Sequence, residues 1–230
     1  MKRFYKLAET VAADGGWSIG LDGRAVRTPA RALLVLPFAA LADAVAAEWN
    51  AQSDEVRPAT MPLTGLANAA IDRVEPARAE FAASLAKYAE TELLAYRAEG
   101  PPKLAAREAE VWDPLLAWAA ARYDVAWTVT TGILHAAQPP ATLARIAAAF
   151  AAQDGIRLAA LNQVVTITGS AVIALALLER HIDADAAWAA GHLDELWQAE
   201  QWGTDPLAET AWADKRGGLD AAARLLDLLG

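Results

Sequence analysis

Three neighbouring side chains could do chemistry: His192, Asp194 and Glu195. An imidazole and a carboxylate spaced three residues apart on a helix share a face, as in one half of a dimetal carboxylate site. Two adjacent carboxyls can also act as acid and base when a cleft separates their pKa values. These residues therefore allow a carboxylate- or metal-dependent hydrolase centred on Asp194, Glu195 and His192.

The rest of the sequence gives this hydrolase little support. A dimetal site needs a second Glu/His helix and further glutamates, whereas the chain has only three histidines. It has no glycine-rich phosphate loop, no Gly-x-Ser-x-Gly and no His-Glu-x-x-His. The simpler interpretation makes His192 a partly exposed polar residue beside Gly191, and Asp194 and Glu195 a solvated helix face. We expect no enzyme, no catalytic residue, no metal and no cofactor.

The same three residues belong to a segment, 183–214, that is strongly acidic and contains no Lys or Arg. Ion pairs one turn apart usually stabilise helices, and a run of like charge removes them. The segment also holds four of the nine tryptophans of a chain whose net charge is −9. It is therefore either a chemical site or a surface offered to a partner. Its eight carboxylates are Asp183, Asp185, Asp194, Glu195, Glu200, Asp205, Glu209 and Asp214.

A stripe of carboxylate, amide and indole runs along this segment. Asp194, Gln198 and Trp202 follow one another at one-turn spacing, Glu195 borders them, and Gly203 follows as the expected residue after the helix end. Tryptophan often supplies the buried centre of a protein contact, and charge sets its register. We predict that these five residues, named the acidic stripe below, bind a partner protein.

Composition limits the kind of partner and compartment. With 29 acidic against 20 basic residues and a pI near 4.8, the chain lacks the basic face that nucleic acid requires. The absence of cysteine excludes disulfides and fits a reducing compartment. Residues 1–5 show neither a signal peptide nor an Arg-rich transit peptide. We expect a cytoplasmic protein that is a monomer when free.

One uncharged stretch, 158–178, could be taken for a membrane span. Polar residues interrupt its first half, and Gly169-Ser170 in its middle is typical of a helix stop followed by an N-cap. The stretch therefore predicts two short apolar helices in the hydrophobic core, without membrane insertion.

The hydrophobic period changes near residue 75, which predicts an α+β fold. Residues 1–75 should form a small domain with antiparallel hairpin strands, and residues 76–230 a larger helical domain. The expected hairpin has strands at 17–21 and 24–28 around an Asp22-Gly23 turn. The expected helices are 38–49, 66–74, 77–96, 104–123, 140–152, the apolar pair, and a single helix over 183–202 with Asp183 as its N-cap. A further helix should begin at Asp205-Pro206, with the Asp205 carboxylate as its cap.

The ordered set of motifs resembles the ATP12 family, the chaperones that act on the alpha subunit of the catalytic sector of ATP synthase. The resemblance runs from residue 3 to about residue 216. The motifs that carry it are Arg3-Phe4-Tyr5-Lys6, Leu21-Asp22-Gly23-Arg24, Thr28-Pro29, Glu48-Trp49, Met61-Pro62-Leu63-Thr64, Leu93-Leu94-Ala95-Tyr96-Arg97, Trp112-Asp113-Pro114-Leu115, Thr131-Gly132-Ile133, Gly169-Ser170, Asp194-Glu195-Leu196-Trp197-Gln198 and Trp202-Gly203.

This resemblance implies a binding chaperone that masks the beta-facing surface of the alpha subunit until beta displaces it. It implies no nucleotide hydrolysis, and it places the functional role of the family's acidic C-terminal motif on Glu195. Family members work in the mitochondrial matrix of eukaryotes, and bacterial relatives in the cytoplasm. The chain departs from the family pattern at Glu92, where relatives commonly have Asp, and we expect little consequence.

Overall fold

The computed structural model, which describes residues 2–230, begins with a small antiparallel sheet. Its two long strands pair with Ala8 opposite Leu21, and the two short strands both pair with the second long one. Asp22 and Gly23 have positive φ values of 48° and 81°, which these residue types adopt readily in a hairpin turn. The strands are β1 (Ala8–Ala13), β2 (Gly16–Leu21), β3 (Arg24–Ala25) and β4 (Val35–Leu36).

Two helices follow the sheet, α1 (Ala39–Asn50) and α2 (Pro62–Ala69). The Glu48 carboxylate accepts hydrogen bonds from the backbone N–H groups of Leu63 and Thr64, both at 2.8 Å. These donors lie in the first turn of α2 and have no partner within the helix. Helix α2 therefore begins at Pro62, four residues before the predicted start at 66, because a distant carboxylate satisfies its first turn.

The rest of the chain is mainly helical. After α2, the only regular strands in the described part of the chain form a parallel pair of two residues each, in which Tyr96 is opposite Thr130. The α+β class with a larger helical part is confirmed. The elements are α3 (Arg78–Ala86), β5 (Tyr96–Arg97), α4 (Pro102–Tyr123), β6 (Thr130–Thr131), α5 (Pro140–Ala151), α6 (Gly155–Thr168), α7 (Ala171–Leu178), α8 (Ala184–Gly191), α9 (Leu193–Trp202) and α10 (Pro206–Leu228).

The uncharged stretch forms α6 and α7, as predicted. Gly169 separates them with a φ of 71°, and the Ser170 hydroxyl accepts a hydrogen bond from the Ile173 N–H at 2.9 Å. Residues 171–177 of α7 are all buried. Among the described residues, no helix has both the length and the apolar character needed to cross a membrane.

The described chain divides into two compact units that are not continuous in sequence. The first unit takes the residues up to 78 together with 154–160 and 224–230. The second unit takes 79–153 and 161–223. The predicted domain limits of 1–75 and 76–230 stay a prediction, because compactness does not show which segments fold independently.

The predicted helix over 77–96 is wrong in its second half. Helix α3 ends at Ala86, a single 3-10 turn follows over Lys87–Ala89, and the chain then breaks. Glu92 has an extended backbone (φ −53°, ψ 118°) and a completely buried side chain. Its carboxylate accepts hydrogen bonds from Ala171 N–H at 2.9 Å, Val172 N–H at 3.2 Å and the Ser170 hydroxyl. The N-terminus of α7 thus holds Glu92 out of the helix.

The predicted single helix over 183–202 is wrong as well, because the chain breaks at His192 between α8 and α9. Gly191 passes so close to Thr168 that a Cβ on it would lie 2.8 Å from the threonine Cβ. His192 has a non-helical backbone (φ −126°, ψ 26°) and stacks its ring on Trp188, with centroids 3.8 Å apart. Asp183 does cap α8 as predicted, accepting from the Ala186 N–H at 2.8 Å.

Candidate functional site

Contacts from α4 fix the position of α9 within the second unit. The Trp112 indole N–H donates to the Ala190 carbonyl at 2.9 Å, just before the break between α8 and α9. One and a half turns earlier on α4, Arg107 forms an ion pair with Glu200 at 2.6 Å and lies 5.9 Å from the Trp197 ring centroid. Both ends of α9 are therefore held on α4.

Most of the acidic stripe lies on the exposed side of α9. Glu195 and Gln198 are exposed, and Trp202 keeps 79% of its surface exposed. Gly203 follows α9 with a φ of 81°, as predicted for a residue after a helix end. Asp194 differs from the others because it is half-buried.

Two concave regions adjoin the stripe. A pocket of about 390 Å³ brings Asp194, Glu195 and Gln198 together with Leu93 and Trp112. A shallower groove of about 270 Å³ continues along the stripe and is lined by Glu195, Gln198, Trp202, Gly203, Thr204, Asp205, Ala208 and Trp212. The five predicted residues thus lie along one continuous set of surfaces.

Several carboxylates of the acidic segment have structural partners. Asp183 and Asp205 cap α8 and α10, and Asp185 pairs with Arg216. Glu209 accepts from the Thr204 hydroxyl at 2.5 Å. Glu195, in contrast, has no hydrogen bond or ion pair to any residue of the described part of the chain. Its charge is therefore available to a partner.

Asp194 faces a second carboxyl that the sequence analysis missed, Glu108 of α4. Glu108 is completely buried and accepts a hydrogen bond from the Ala98 N–H at 2.8 Å through Oε2. Glu108 Oε1 and Asp194 Oδ1 are both shielded from solvent and have no hydrogen-bond partner, and the two carboxyls are close enough to affect each other's pKa. Two neighbouring buried carboxyls disfavour ionisation of both, because like charges repel.

Burial is the main cause of the raised pKa values of this acid pair. It raises the pKa of Glu108, and the nearby Asp194 charge raises it further. Burial also raises the pKa of Asp194, although this side chain is less buried than Glu108 because it lines the pocket. Both carboxyls therefore hold a proton more readily than free ones.

The nearest cation does not neutralise this pair. Arg97 of β5 donates from Nη2 to Asp113 at 2.5 Å, and its guanidinium lies 5.1 Å from the Trp112 ring centroid. Its Nη1 is buried without a hydrogen-bond partner. Burial lowers the pKa of Arg97, and Asp113 and Glu108 act in the opposite direction. Arg97 is therefore committed to Asp113 and leaves the acid pair without an ion-pair partner.

His192 occupies a different environment from the one expected. It is only 2% exposed, so the expectation of a partly exposed residue is wrong, and burial lowers the pKa of its imidazole. Both ring nitrogens lack hydrogen-bond partners. Within residues 2–230, no group of three or more His, Cys, Asp or Glu side chains is placed to hold a metal ion.

A signal for Glu108 was present in the sequence. Leu104, Glu108 and Trp112 are spaced one turn apart on α4, and all three are buried. A carboxylate on the apolar stripe of a helix is unusual, because burying an ionised group is costly unless it is paired or neutralised. Its partner Asp194 is distant in sequence, so helical spacing alone could not identify it.

Comparisons with known proteins agree with this architecture. The family profile described as ATP12 chaperone protein matches residues 2–120. The crystal structure of Atp12 from Paracoccus denitrificans is 39% identical, with a TM-score of 0.95, covering 100% of this chain and 98% of that one. A structure of a mutant of the P. denitrificans protein also has a TM-score of 0.95, at 38% identity with the same coverage.

A curated eukaryotic relative extends the match. The Schizosaccharomyces pombe protein named "Protein atp12, mitochondrial" is 26% identical over an alignment of 215 residues that covers 88% of this chain and 74% of that protein. The profile covers more than half of the chain, and the bacterial structures match its whole length. The chain is therefore a member of the ATP12 chaperone family.

Proposed function

We propose that this protein is an assembly chaperone that binds the unassembled alpha subunit of the ATP synthase catalytic sector. It covers the beta-facing surface of alpha until beta displaces it. Family membership supports a chaperone role. The observation that carries the choice of contact surface is the exposure of Trp202, at 79%, beside the unpaired carboxylate of Glu195.

The surface around Trp202 has the composition of a protein-binding site. Leu207, five residues on, is 84% exposed, so two large apolar side chains stand in solvent next to acidic groups. Exposed apolar side chains grouped with polar ones are typical of contact surfaces. Trp202 supplies area that is buried on binding, and Glu195 meets Arg or Lys side chains of alpha.

Masking explains how such a protein assists assembly. A free alpha subunit exposes the surface that beta will cover, and exposed apolar surface favours aggregation. A chaperone bound there blocks the wrong contact. Release follows when beta competes for the same or an overlapping surface, because the two ligands then exclude each other by mass action.

The test is size-exclusion chromatography with light scattering on this protein and the alpha subunit of the same organism. We expect a one-to-one complex that dissolves when beta is added. If alpha stays soluble and no complex forms, the proposal is wrong. If the complex persists as a ternary species with beta, the masking part of the proposal is wrong.

Two variants with matched controls locate the contact. Glu195→Ala and Trp202→Ala should each weaken the complex about tenfold or more, as expected when a central contact residue is truncated. The controls are Glu110→Ala, an exposed carboxylate of α4, and Phe4→Ala, an aromatic residue that is 64% exposed in the first unit. Equal weakening by variants and controls would contradict a contact at the acidic stripe.

The remaining expectations belong to the same proposal. We propose that the protein is cytoplasmic and a monomer when free, and the similarity to a bacterial Atp12 over its full length supports the first of these. The S. pombe relative is named as mitochondrial. Light scattering of the free protein in the same experiment measures its oligomeric state directly.

A further inference from the structure

We propose that the free edge of β1 accepts an extended segment of the partner protein, which adds to the N-terminal sheet as a further strand. The segment carries a basic side chain between two apolar ones. This edge lies in the first unit, whereas the acidic stripe lies in the second. Only the source of the segment, the alpha subunit, rests on the proposed function.

Strand β1 forms one edge of the sheet. It pairs with one side of β2, and the short strands β3 and β4 both pair with the other side. In an antiparallel pair, one residue bonds to the neighbouring strand, and the next directs its N–H and C=O groups away from it. Every second residue of β1 therefore presents both backbone groups at the free edge.

Two backbone bonds identify these outward residues. The Leu7 carbonyl accepts from the Asp22 N–H at 3.0 Å, so Leu7 faces β2. Ile19 of β2 stands opposite Thr10, but its carbonyl accepts from the Val26 N–H at 2.8 Å, on the other side of β2. Thr10 and the residues two before and two after it therefore direct their backbone groups outward.

A side chain already occupies this edge at Ala8. Asn50 of α1 accepts from the Ala8 N–H at 2.8 Å and donates to the Ala8 carbonyl at 2.7 Å. One amide thus makes both bonds that a neighbouring strand would make. Within residues 2–230, no other group bonds the outward N–H and C=O groups of Thr10 and Ala12. These groups are therefore free to pair with an added strand.

Strand β1 lacks the features that usually keep an edge strand from pairing. Proteins commonly protect such edges with Lys, Pro or a bulge. Residues 8–13 contain no Lys and no Pro. Their register against β2 runs without a bulge, from Ala8 opposite Leu21 to Ala13 opposite Gly16. The backbone of this edge can therefore receive another strand.

The side chains beside the edge define the chemistry of the added segment. Leu7, Glu9 and Val11 alternate along the chain, so they share one face of the sheet. Leu7 is 53% and Val11 44% exposed, and Glu9 is exposed between them. Neighbouring side chains on adjacent strands contact each other, and opposite charges stabilise such pairs. Apolar side chains on both sides of a Lys or Arg match this face.

A second copy of the chain fits this edge less well. Its own β1 would bring another Glu9 and no basic side chain, and each copy carries a net charge of −9. Like net charges oppose association. A basic segment of another protein is attracted both by Glu9 and by the net charge.

A direct test uses the full-length protein and the peptide acetyl-Thr-Val-Thr-Lys-Thr-Val-Thr-amide. In the free protein, the outward amides of Thr10 and Ala12 should exchange hydrogen rapidly, and those of Glu9 and Val11 slowly. We expect saturating peptide to slow exchange at Thr10 and Ala12 about tenfold or more, because bonded amides exchange only on opening. Slow exchange at these two amides without peptide, or no saturable slowing with it, overturns the proposal.

Two control peptides separate backbone pairing from side-chain attraction. The same peptide N-methylated at every residue keeps its charge but has no N–H groups, and it should leave exchange unchanged. The peptide with Glu in place of Lys should bind several-fold more weakly. Equal slowing by the methylated peptide would contradict strand addition.

A charge reversal locates the contact on β1. Glu9→Lys keeps the backbone groups of the edge, and it should prefer the Glu peptide to the Lys peptide. Asp43→Lys, at an exposed carboxylate of α1 in the same unit, makes the same change in net charge. This control should keep the original preference for the Lys peptide. The same change of preference in both variants would contradict a contact beside Glu9.

The alpha subunit then tests the source of the segment. In its complex with this protein, we expect slow exchange at Thr10 and Ala12, as with the peptide. If alpha binds and both amides still exchange rapidly, the inference fails while the proposed function stands. If alpha does not bind, the proposed function is refuted, and the peptide still decides whether the edge accepts a strand. A dimer of the free protein with both amides protected would assign the edge to a second copy and overturn the proposal.

Discussion

Glu92 and Glu108 are both completely buried acids of the second unit, yet their surroundings differ. Glu92 accepts hydrogen bonds from two backbone N–H groups of α7 and from the Ser170 hydroxyl. Glu108 accepts from one backbone N–H and faces another acid. A buried carboxyl whose oxygens are matched by donors supports the fold. A buried carboxyl that faces another acid beside a pocket has oxygens without donors, which can still accept hydrogen bonds from a ligand.

Truncating Glu92 tests the structural side of this contrast and should have the largest effect on stability. Glu92→Ala leaves the first N–H groups of α7 without acceptors inside the core. We expect the free energy of unfolding to fall by about 3 kcal/mol, the sum of a lost cap and unsatisfied buried donors. Denaturant unfolding measures it. A loss below about 1 kcal/mol would show that Glu92 is not needed as a cap.

The pH dependence of stability sharpens the contrast. Burial raises the pKa of Glu92 to about 7, from the ordinary value of 4.5, against the effect of its hydrogen bonds. Between these values the folded protein binds more protons than the unfolded chain, so stability should fall as pH rises from about 4.5 through about 7. The raised pKa values of Glu108 and Asp194 act in the same direction.

Glu92→Gln provides the control for this prediction, because an amide does not titrate. Unfolding by urea, repeated across the pH range, should show a flatter profile for the variant than for the unmodified protein. Parallel profiles would mean that Glu92 ionises normally in the folded state, and the effect of its hydrogen bonds on the pKa would then balance the effect of burial.

Replacing Glu108 should have the smallest effect on stability. In Glu108→Gln the amide oxygen can still accept from the Ala98 N–H and the amide NH₂ can donate to the neighbouring Asp194, so we expect a change within about 1 kcal/mol near neutral pH. Glu92→Gln should cost more, because it places an amide NH₂ among donors. Thermal unfolding of Glu108→Gln and Glu92→Gln compares the stability lost at the two sites. An equal loss of stability would contradict the distinction between Glu92 and Glu108.

Sequence reasoning worked where the cause of a structure is local. Asp183, Ser170 and Asp205 cap the helices that follow them, as their residue types and positions predicted. It failed where a residue that is distant in sequence determines the local structure. The α7 N-terminus binds the Glu92 carboxylate where the chain leaves the helical path, and Gly191 packs closely against Thr168 where α8 ends.

The candidate site shows the same limit. The stripe of Gln198 and Trp202 was predicted from helical spacing and lies on the exposed side of α9. Asp194 was grouped with them, although its side chain is half-buried and faces Glu108. The pairing depends on α4 and α9 packing together, which no local pattern encodes. The indication of this pairing in the sequence was a carboxylate, Glu108, on the apolar face of α4.

The discontinuity of the first unit has a consequence for synthesis on the ribosome. Residues 224–230 belong to this unit, and Leu225 and Leu229 are buried. The N-terminal sheet emerges first, but its unit lacks this segment until the last helix has left the exit tunnel. The second unit has all its segments earlier, by residue 223. The unit whose sheet is translated first is therefore the last to have all its segments.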